Sequence, residues 1–257
     1  MNWVDTHAHL YSAEFGEDRT EMVIRSLESG VLEMYLPNVD KNSIEGMLAL
    51  EAQFPDNIFP MMGLHPCSVQ PEDWKEQLKI VKEWLDQRHF CAVGEIGIDL
   101  YWDKSTLDIQ EEAFRIQSVW AMEKNLPIVI HSRESIDILI GLVKEMKVPE
   151  YRGIFHCFSG TEKQANEIIE MGFLLGIGGP LTYKKSTLPD AIRNIPLEYI
   201  VLETDAPYLP PTPHRGKRNE SSYIPLIGSK LAEIKEIPEE EVAMITTRNA
   251  RRLYGAE

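Results

Sequence analysis

Eight short apolar runs alternate with amphipathic stretches from one end of the chain to the other, and nothing else in the sequence constrains the fold as strongly. The runs lie at Trp3–His7, Glu33–Pro37, Phe59–Gly63, Cys91–Glu95, Ile128–His131, Ile154–Cys157, Phe173–Ile177 and Tyr199–Glu203. They are rich in Val, Ile, Leu and Phe and mostly lack polar–apolar alternation, as strands buried on both faces should. Helical patterns fill the intervals at Arg19–Ser29, Ser43–Phe54, Glu72–Gln87, Leu107–Lys124, Ser135–Lys147, Glu162–Met171 and a shorter Leu188–Arg193, with two more at Ser222–Lys235 and Glu239–Tyr254. Gly30, Gly172 and Pro127 stand at helix exits, where cap and stop residues belong. Eight strand–helix units in 257 residues predict an α/β fold, a (β/α)8 TIM barrel spanning residues 1–257 as one domain. The competing arrangement is an open doubly wound sheet, which usually places a Gly-rich phosphate turn after its first strand. Here the first strand runs into His7-Ala8-His9 instead.

Charge narrows the function classes. The chain has 26 basic and 41 acidic residues, a net charge of −15. That excludes a protein that coats nucleic acid through a broad basic surface, though not one with a small basic mouth on an acidic body. No apolar run approaches the roughly 18 residues of a membrane span. The opening Met1-Asn2-Trp3-Val4-Asp5 does not read as a signal peptide. The three cysteines, Cys67, Cys91 and Cys157, match neither a zinc knuckle nor a disulfide framework. A cytoplasmic location follows as the expectation, with no membrane and no obligate protein partner.

Six of the seven histidines fall at or just after a predicted strand: His7, His9, His65, His131, His156 and His214. In a barrel these strand ends form one rim, and active sites are built there. His7 and His9 are two apart on extended chain and therefore share a face, as a surface pair or as metal ligands. Glu95, flanked by Gly94 and Gly97, ends the fourth predicted run. A buried carboxylate there needs an Arg partner or a metal, and its two oxygens can bridge two cations. Glu203 and Asp205 share a face by the same period of two; one can ligate while the other orients a ligand or takes a proton. Arg133 follows His131, and the Pro-introduced stretch His214-Arg215-Gly216-Lys217-Arg218-Asn219 gathers positive charge. Both read as phosphate handles or as solvated and ion-paired surface. A Cys–His nucleophile from Cys67 with His65, or Cys157 with His156, competes with the metal reading. Trp3, Trp102 and Tyr208 are packing residues or base-stacking groups at the mouth.

At these residues the sequence resembles the TatD family of metal-dependent deoxyribonucleases. The resemblance runs through ordered blocks: Asp5-Thr6-His7-Ala8-His9-Leu10, Gly63-Leu64-His65-Pro66, Gly94-Glu95-Ile96-Gly97-Ile98-Asp99, Ile130-His131-Ser132-Arg133-Glu134, Phe155-His156-Cys157-Phe158-Ser159-Gly160, Leu202-Glu203-Thr204-Asp205-Ala206-Pro207 and Arg215-Gly216-Lys217-Arg218-Asn219-Glu220. It implies an amidohydrolase-type barrel holding two divalent cations such as Zn2+, Mn2+ or Mg2+. The ligands it implies are His7, His9, Glu95, His131, His156 and Asp205, with Glu95 in the bridging place. Around such a centre the residues themselves read as catalytic at Glu95, Asp205 and Glu203, and as substrate contacts at His65, Arg133, His214, Arg215, Lys217 and Arg218. Where the family pattern continues Asn-Glu-Pro, this chain has Asn219-Glu220-Ser221, which takes a constraint from the loop but removes no ligand.

The expected activity is phosphodiester hydrolysis of DNA from a 3′ end, single strands preferred, by a hydroxide bridged between two cations about 3.5–4 Å apart. Two other readings remain at this level. One is a metal-dependent hydrolase of small esters, amides or lactones; the other is a catalytically silent metal-binding protein with closed coordination.

Overall fold

The structure, a computed structural model, describes residues 1–146 and 151–255. Eight strands follow in order: β1 Trp3–Asp5, β2 Val31–Leu36, β3 Ile58–Pro60, β4 Val93–Asp99, β5 Ile128–Arg133, β6 Gly153–Phe155, β7 Leu174–Ile177 and β8 Ile200–Leu202. The helices between and after them are α1 Arg19–Glu28, α2 Ile44–Gln53, α3 Trp74–Gln87, α4 Leu107–Glu123, α5 Ile136–Met146, α6 Glu162–Glu170, α7 Leu188–Ile192, α8 Ile224–Lys235 and α9 Glu239–Tyr254. Of the predicted helix Ser135–Lys147, the last residue lies outside the described residues.

Consecutive strands pair in parallel, β1 to β3 in one sheet and β4 to β8 in another. Backbone hydrogen bonds join the two sheets at both seams. Gly94 N donates to Met62 O (3.1 Å) on one side, and Thr6 N donates to Leu202 O (3.0 Å) on the other. The strands therefore close in sequence order into the expected (β/α)8 barrel.

The apolar runs lack alternation because both faces are buried. Inward, Val4, Tyr35, Met61, Ala92, Val129, Ile154, Leu174 and Val201 form one cluster, one residue from each strand or its flank. Outward, Trp3, Met34, Val93, Ile130, Phe155, Leu175 and Leu202 pack under the helices. Each such buried side chain contributes about 1.5–3 kcal/mol of transfer free energy. Helix α9 closes the end where the strands begin. Its Thr247 hydroxyl bonds Asn2 O (3.0 Å), and Asn249 Nδ2 bonds Leu197 O (2.9 Å) and Ile200 O (2.8 Å). Ala250 and Leu253 join the inner cluster, and the Tyr254 ring stacks on Tyr35 at 4.0 Å. Three glutamates in its first turn and two arginines in its last suit the helix dipole, and Gly255 at φ 73° ends it. Among the described residues no helix is long and apolar enough to cross a membrane.

Two strand boundaries differ from the sequence reading in ways that matter. The fourth strand runs on to Asp99, so Glu95 lies within it rather than at its end. The register against β5 slips between Gly94 and Ile96, which leaves Glu95 as the extra residue of a bulge. Bulges re-aim a side chain, and this one turns the carboxylate to the barrel interior. The sixth strand stops at Phe155, so His156 is the first residue beyond it.

Candidate metal centre

The inward face changes character along each strand. Val129 and His131 are two apart, as are Ile154 and His156, and Val201 and Glu203, so each pair shares a face with the apolar member deeper. After β1 the chain stays extended: Ala8 N donates to Tyr35 O (3.1 Å) and His9 N to Ala206 O (2.7 Å). This holds His7 and His9 toward the same centre. Asp205 adopts a left-handed backbone (φ 57°), and Cys157 does the same beyond β6 (φ 47°). Non-glycine residues adopt that conformation at a cost of about 1 kcal/mol or more, and such outliers gather at functional sites.

Everything converges on Glu95, which is 1% exposed. Its Oε2 lies 3.1 Å from His7 Nε2 and 3.5 Å from His9 Nε2. Its Oε1 lies 2.7 Å from His131 Nδ1, 3.5 Å from His65 Nε2 and 3.7 Å from His156 Nε2. Asp205 Oδ1 completes the group, 3.5 Å from His9 Nε2, 3.8 Å from His156 Nε2 and 3.9 Å from His7 Nε2. The two oxygens of one carboxylate thus face two different sets of imidazoles. Among the described residues no Lys or Arg pairs with Glu95, which removes the ion-pair reading of that residue. Burial alone would raise its pKa. The charges of His7, His65 and His156, with the hydrogen bond to His131, reverse that and hold it well below the ordinary carboxylate range.

The donor set fits a divalent cation. His7 Nε2 and His9 Nε2 face each other at 3.3 Å, as do His65 Nε2 and His131 Nδ1. Lone pairs so disposed need a proton or a cation between them, and His–carboxylate sets within 4.8 Å of one another suit Zn2+ and its neighbours. The outer contacts also leave the inner nitrogens free to bind. Tyr11 donates its hydroxyl proton to Pro37 O (2.6 Å), so its oxygen accepts from His9 Nδ1 (2.9 Å) and Nε2 keeps its lone pair. Asp99 Oδ2 sits 2.8 Å from His131 Nε2, leaving Nδ1 toward Glu95. Burial raises the Asp99 pKa, but His131 and the N–H groups of Tyr101 and Trp102 bring it down to about 2. Glu203 Oε1 lies 2.9 Å from His156 Nδ1 and accepts the Cys157 N–H at 2.6 Å.

Several sequence expectations change here. Glu203, expected to share the proton work, is fully buried behind His156 and faces away from the inner nitrogens, a position that orients His156. His65, expected to touch substrate, joins Glu95 and His131. Arg218, also expected on substrate, is held by both oxygens of Asp18 (2.6 and 2.8 Å) over the Phe15 ring. The His214 ring stacks flat on Tyr223 at 4.1 Å. Arg133, Arg215 and Lys217 remain exposed, and among the described residues none has an acidic partner. The loop is not loosened at Ser221: its hydroxyl donates to buried Asp5 Oδ2 (2.6 Å), beside Thr204 Oγ1 (2.5 Å). The Cys–His nucleophile fails, because burial and three nearby carboxylates push the Cys157 thiol well up, and burial lifts Cys67 to about 12.

Tyr11 is not singled out by the sequence, and Asp99 stands there only within a block, without a role of its own. Each stands in register with a noticed residue, Tyr11 two beyond His9 and Asp99 four beyond Glu95, and that periodicity was the available signal.

A family model described as TatD related DNase matches residues 4–255. YabD of Bacillus subtilis (strain 168), described as an uncharacterized metal-dependent hydrolase, is 38% identical over 251 residues, covering 97% of this chain and 98% of its own length. A putative deoxyribonuclease of Danio rerio, tatdn3, is 30% identical over 265 residues, covering 98% of this chain and 97% of that protein. The crystal structure of YjjV, a TatD homolog from Escherichia coli K12, superposes with a TM-score of 0.92 at 29% identity, with 98% of each chain covered.

Proposed function

This chain belongs to the TatD family of metal-dependent hydrolases, and from that premise we propose that it is a deoxyribonuclease that removes nucleotides from free single-stranded DNA ends, working from the 3′ side. The observation that carries the reading is the placement of Glu95 between two imidazole sets, with cations on the exits of the same barrel that have no acidic partner among the described residues.

His7, His9, Glu95, His65, His131, His156 and Asp205 would hold up to two divalent cations. Such ions lower the pKa of a water and polarise a phosphoryl oxygen. The chain's own residues do the rest. Asp205 is the least buried carboxylate of the group, with its side chain 15% exposed, and is placed to take the proton of the attacking water. Asp99 keeps His131 in the required tautomer, and the Glu203 carboxylate 2.9 Å from His156 Nδ1 favours a proton on that nitrogen. Arg133, Arg215 and Lys217 offset charge on the phosphate. A body at −15 repels a duplex, and three cations can hold only one or a few phosphates, which favours an end over a long tract.

The test is a time course with metal-reconstituted protein on a linear single strand, a closed circle of the same sequence, and a panel of small esters and lactones. Loss of nucleotides from the linear strand alone is the expected result. Equal cutting of the circle removes the end-trimming mode. Turnover of a small ester with neither DNA touched replaces the deoxyribonuclease reading with the small-molecule one.

A further inference from the structure

Beside the centre stand two aromatic rings that the chemistry above does not use. Trp102 is 72% exposed and Tyr101 is 51% exposed on the loop between β4 and α4. Their rings meet edge to face at 4.9 Å. The Arg133 guanidinium lies over the Tyr101 ring at 3.8 Å and 5.6 Å from the Trp102 centroid. The other strongly exposed apolar side chains away from the mouth, such as Ile24, Val119 and Met244, stand singly on helices. An indole left in water beside a second aromatic ring and a cation that has no acidic partner among the described residues is a different arrangement.

The loop is also pinned. Asp99 Oδ1 accepts the N–H of Tyr101 (3.0 Å) and of Trp102 (3.4 Å), while Asp99 Oδ2 faces His131 Nε2 (2.8 Å). A single buried carboxylate therefore fixes a candidate ligand with one oxygen and the aromatic pair with the other. The backbone that carries the rings is thereby tied to the centre, and the rings do not sit on a loose tip.

We infer that Trp102, with Tyr101 and Arg133, is a stacking platform for the nucleobase next to the phosphate at the centre, and that it selects unpaired DNA. The inference rests on the deoxyribonuclease reading above. An acidic protein with few free cations gains little from phosphate contacts, and stacking supplies a hold that salt does not screen. Every base has a π-face, so the platform accepts any sequence, but a base still stacked in a duplex cannot reach it. The guanidinium, already on the Tyr101 ring, can meet the adjoining phosphate without losing its stack.

The experiment compares two linear single strands with identical phosphates, one bearing bases throughout and one with abasic residues at its last three positions on each end. Wild-type enzyme should prefer the base-bearing strand in kcat/KM by about tenfold, within the range that stacking on one aromatic gives. Trp102→Ala should bring that ratio close to one, and Trp102→Phe should keep most of it. Both variants should melt as wild type does, because the side chain is exposed. Equal rates of wild type on the two strands overturn the platform and leave the deoxyribonuclease reading standing. So does a Trp102→Ala enzyme that keeps the wild-type ratio. Failure of wild type to cut either strand, with metal bound, overturns both.

Discussion

The two ends of the barrel are made from the same eight strands and opposite chemistry. At the closed end, Val4, Tyr35, Met61, Val129, Ile154, Leu174 and Val201 fill the interior, and α9 seals it with Leu253 and Tyr254. One strand period further along, about 7 Å, the inward positions become His131, His156 and Glu203. The apolar layer gains free energy from burial without needing partners. The ionisable layer is buried as deeply, with His7 and Glu203 at 0% exposure, and is tolerable only because each group meets another or a cation. The comparison teaches that this fold separates what stabilises it from what it uses. A change at one end should therefore leave the other end's measurable property intact.

The largest effect is expected at the mouth. Glu95→Gln keeps the side chain's size and removes the charge that both imidazole sets face. Turnover should fall by more than about 10²-fold, since even outer partners of metal ligands cost up to that much. Metal per chain by elemental analysis should fall with it, while the melting temperature does not drop. Unchanged turnover at unchanged metal content would break the assignment of Glu95.

The mirror experiment is Leu174→Ala. Leu174 lies in the apolar layer on β7, a strand that brings no residue to the centre. Urea unfolding should show a loss of about 2–5 kcal/mol, the usual result of truncating a buried Leu. Metal content and turnover per folded molecule should match wild type. A parallel loss of metal would show that the layers are coupled and that the separation is not real.

Between these lies Asp99→Asn. Asp99 holds the outer nitrogen of His131, so the amide changes which nitrogen carries the proton without opening space. Affinity for Zn2+ in a chelator competition should weaken about 10–100-fold. The same affinity in the variant would demote the Asp99–His131 contact to packing.

How far the sequence reveals this division differs between the ends. The apolar layer and the strand order are legible, because runs of Val, Ile and Leu buried on both faces have no other soluble use. The ligand types at the mouth are legible too, since histidines seldom gather at strand ends without a reason. The errors share a cause in long-range pairing. Gly97 and Asp99 read as lying beyond a strand that ends at Glu95, and only the pairing with β5 shows that β4 continues through them around a bulge. His65 sits before Pro66, as a loop residue does, and only the approach of His131 brings it into the cluster. Arg218 looks like a free cation within a basic stretch, because its partner Asp18 is 200 positions away. Ser221 looks like a lost proline, although its hydroxyl serves Asp5 across the barrel seam.

Arg218 supplies the smallest prediction and the one that tests whether the mouth has any stabilising parts. Its guanidinium and that of Arg25 hold Asp18, and Glu220 lies against Arg25. Hydrogen bonds from Arg218 and Arg25 pull the Asp18 pKa down. At Glu220 burial pushes upward, but the bonds from Arg25 and Ser222 and the nearby arginine charges prevail and lower it. Folded values below the unfolded ones mean that the stabilisation is complete above the unfolded carboxylate range, near pH 4, and fades as pH falls through the folded values. Asp18 and both arginines are partly exposed, so the cluster should contribute no more than about 1 kcal/mol, and less in high salt. Arg218→Ala should therefore melt slightly below wild type near neutral pH, and the gap should close as the pH falls below about 4. Metal content should not change, because the arginine belongs to the lip of the barrel and touches no residue of the centre. A gap that persists unaltered into acid would mean that Arg218 acts through its packing on Phe15 rather than through its charge.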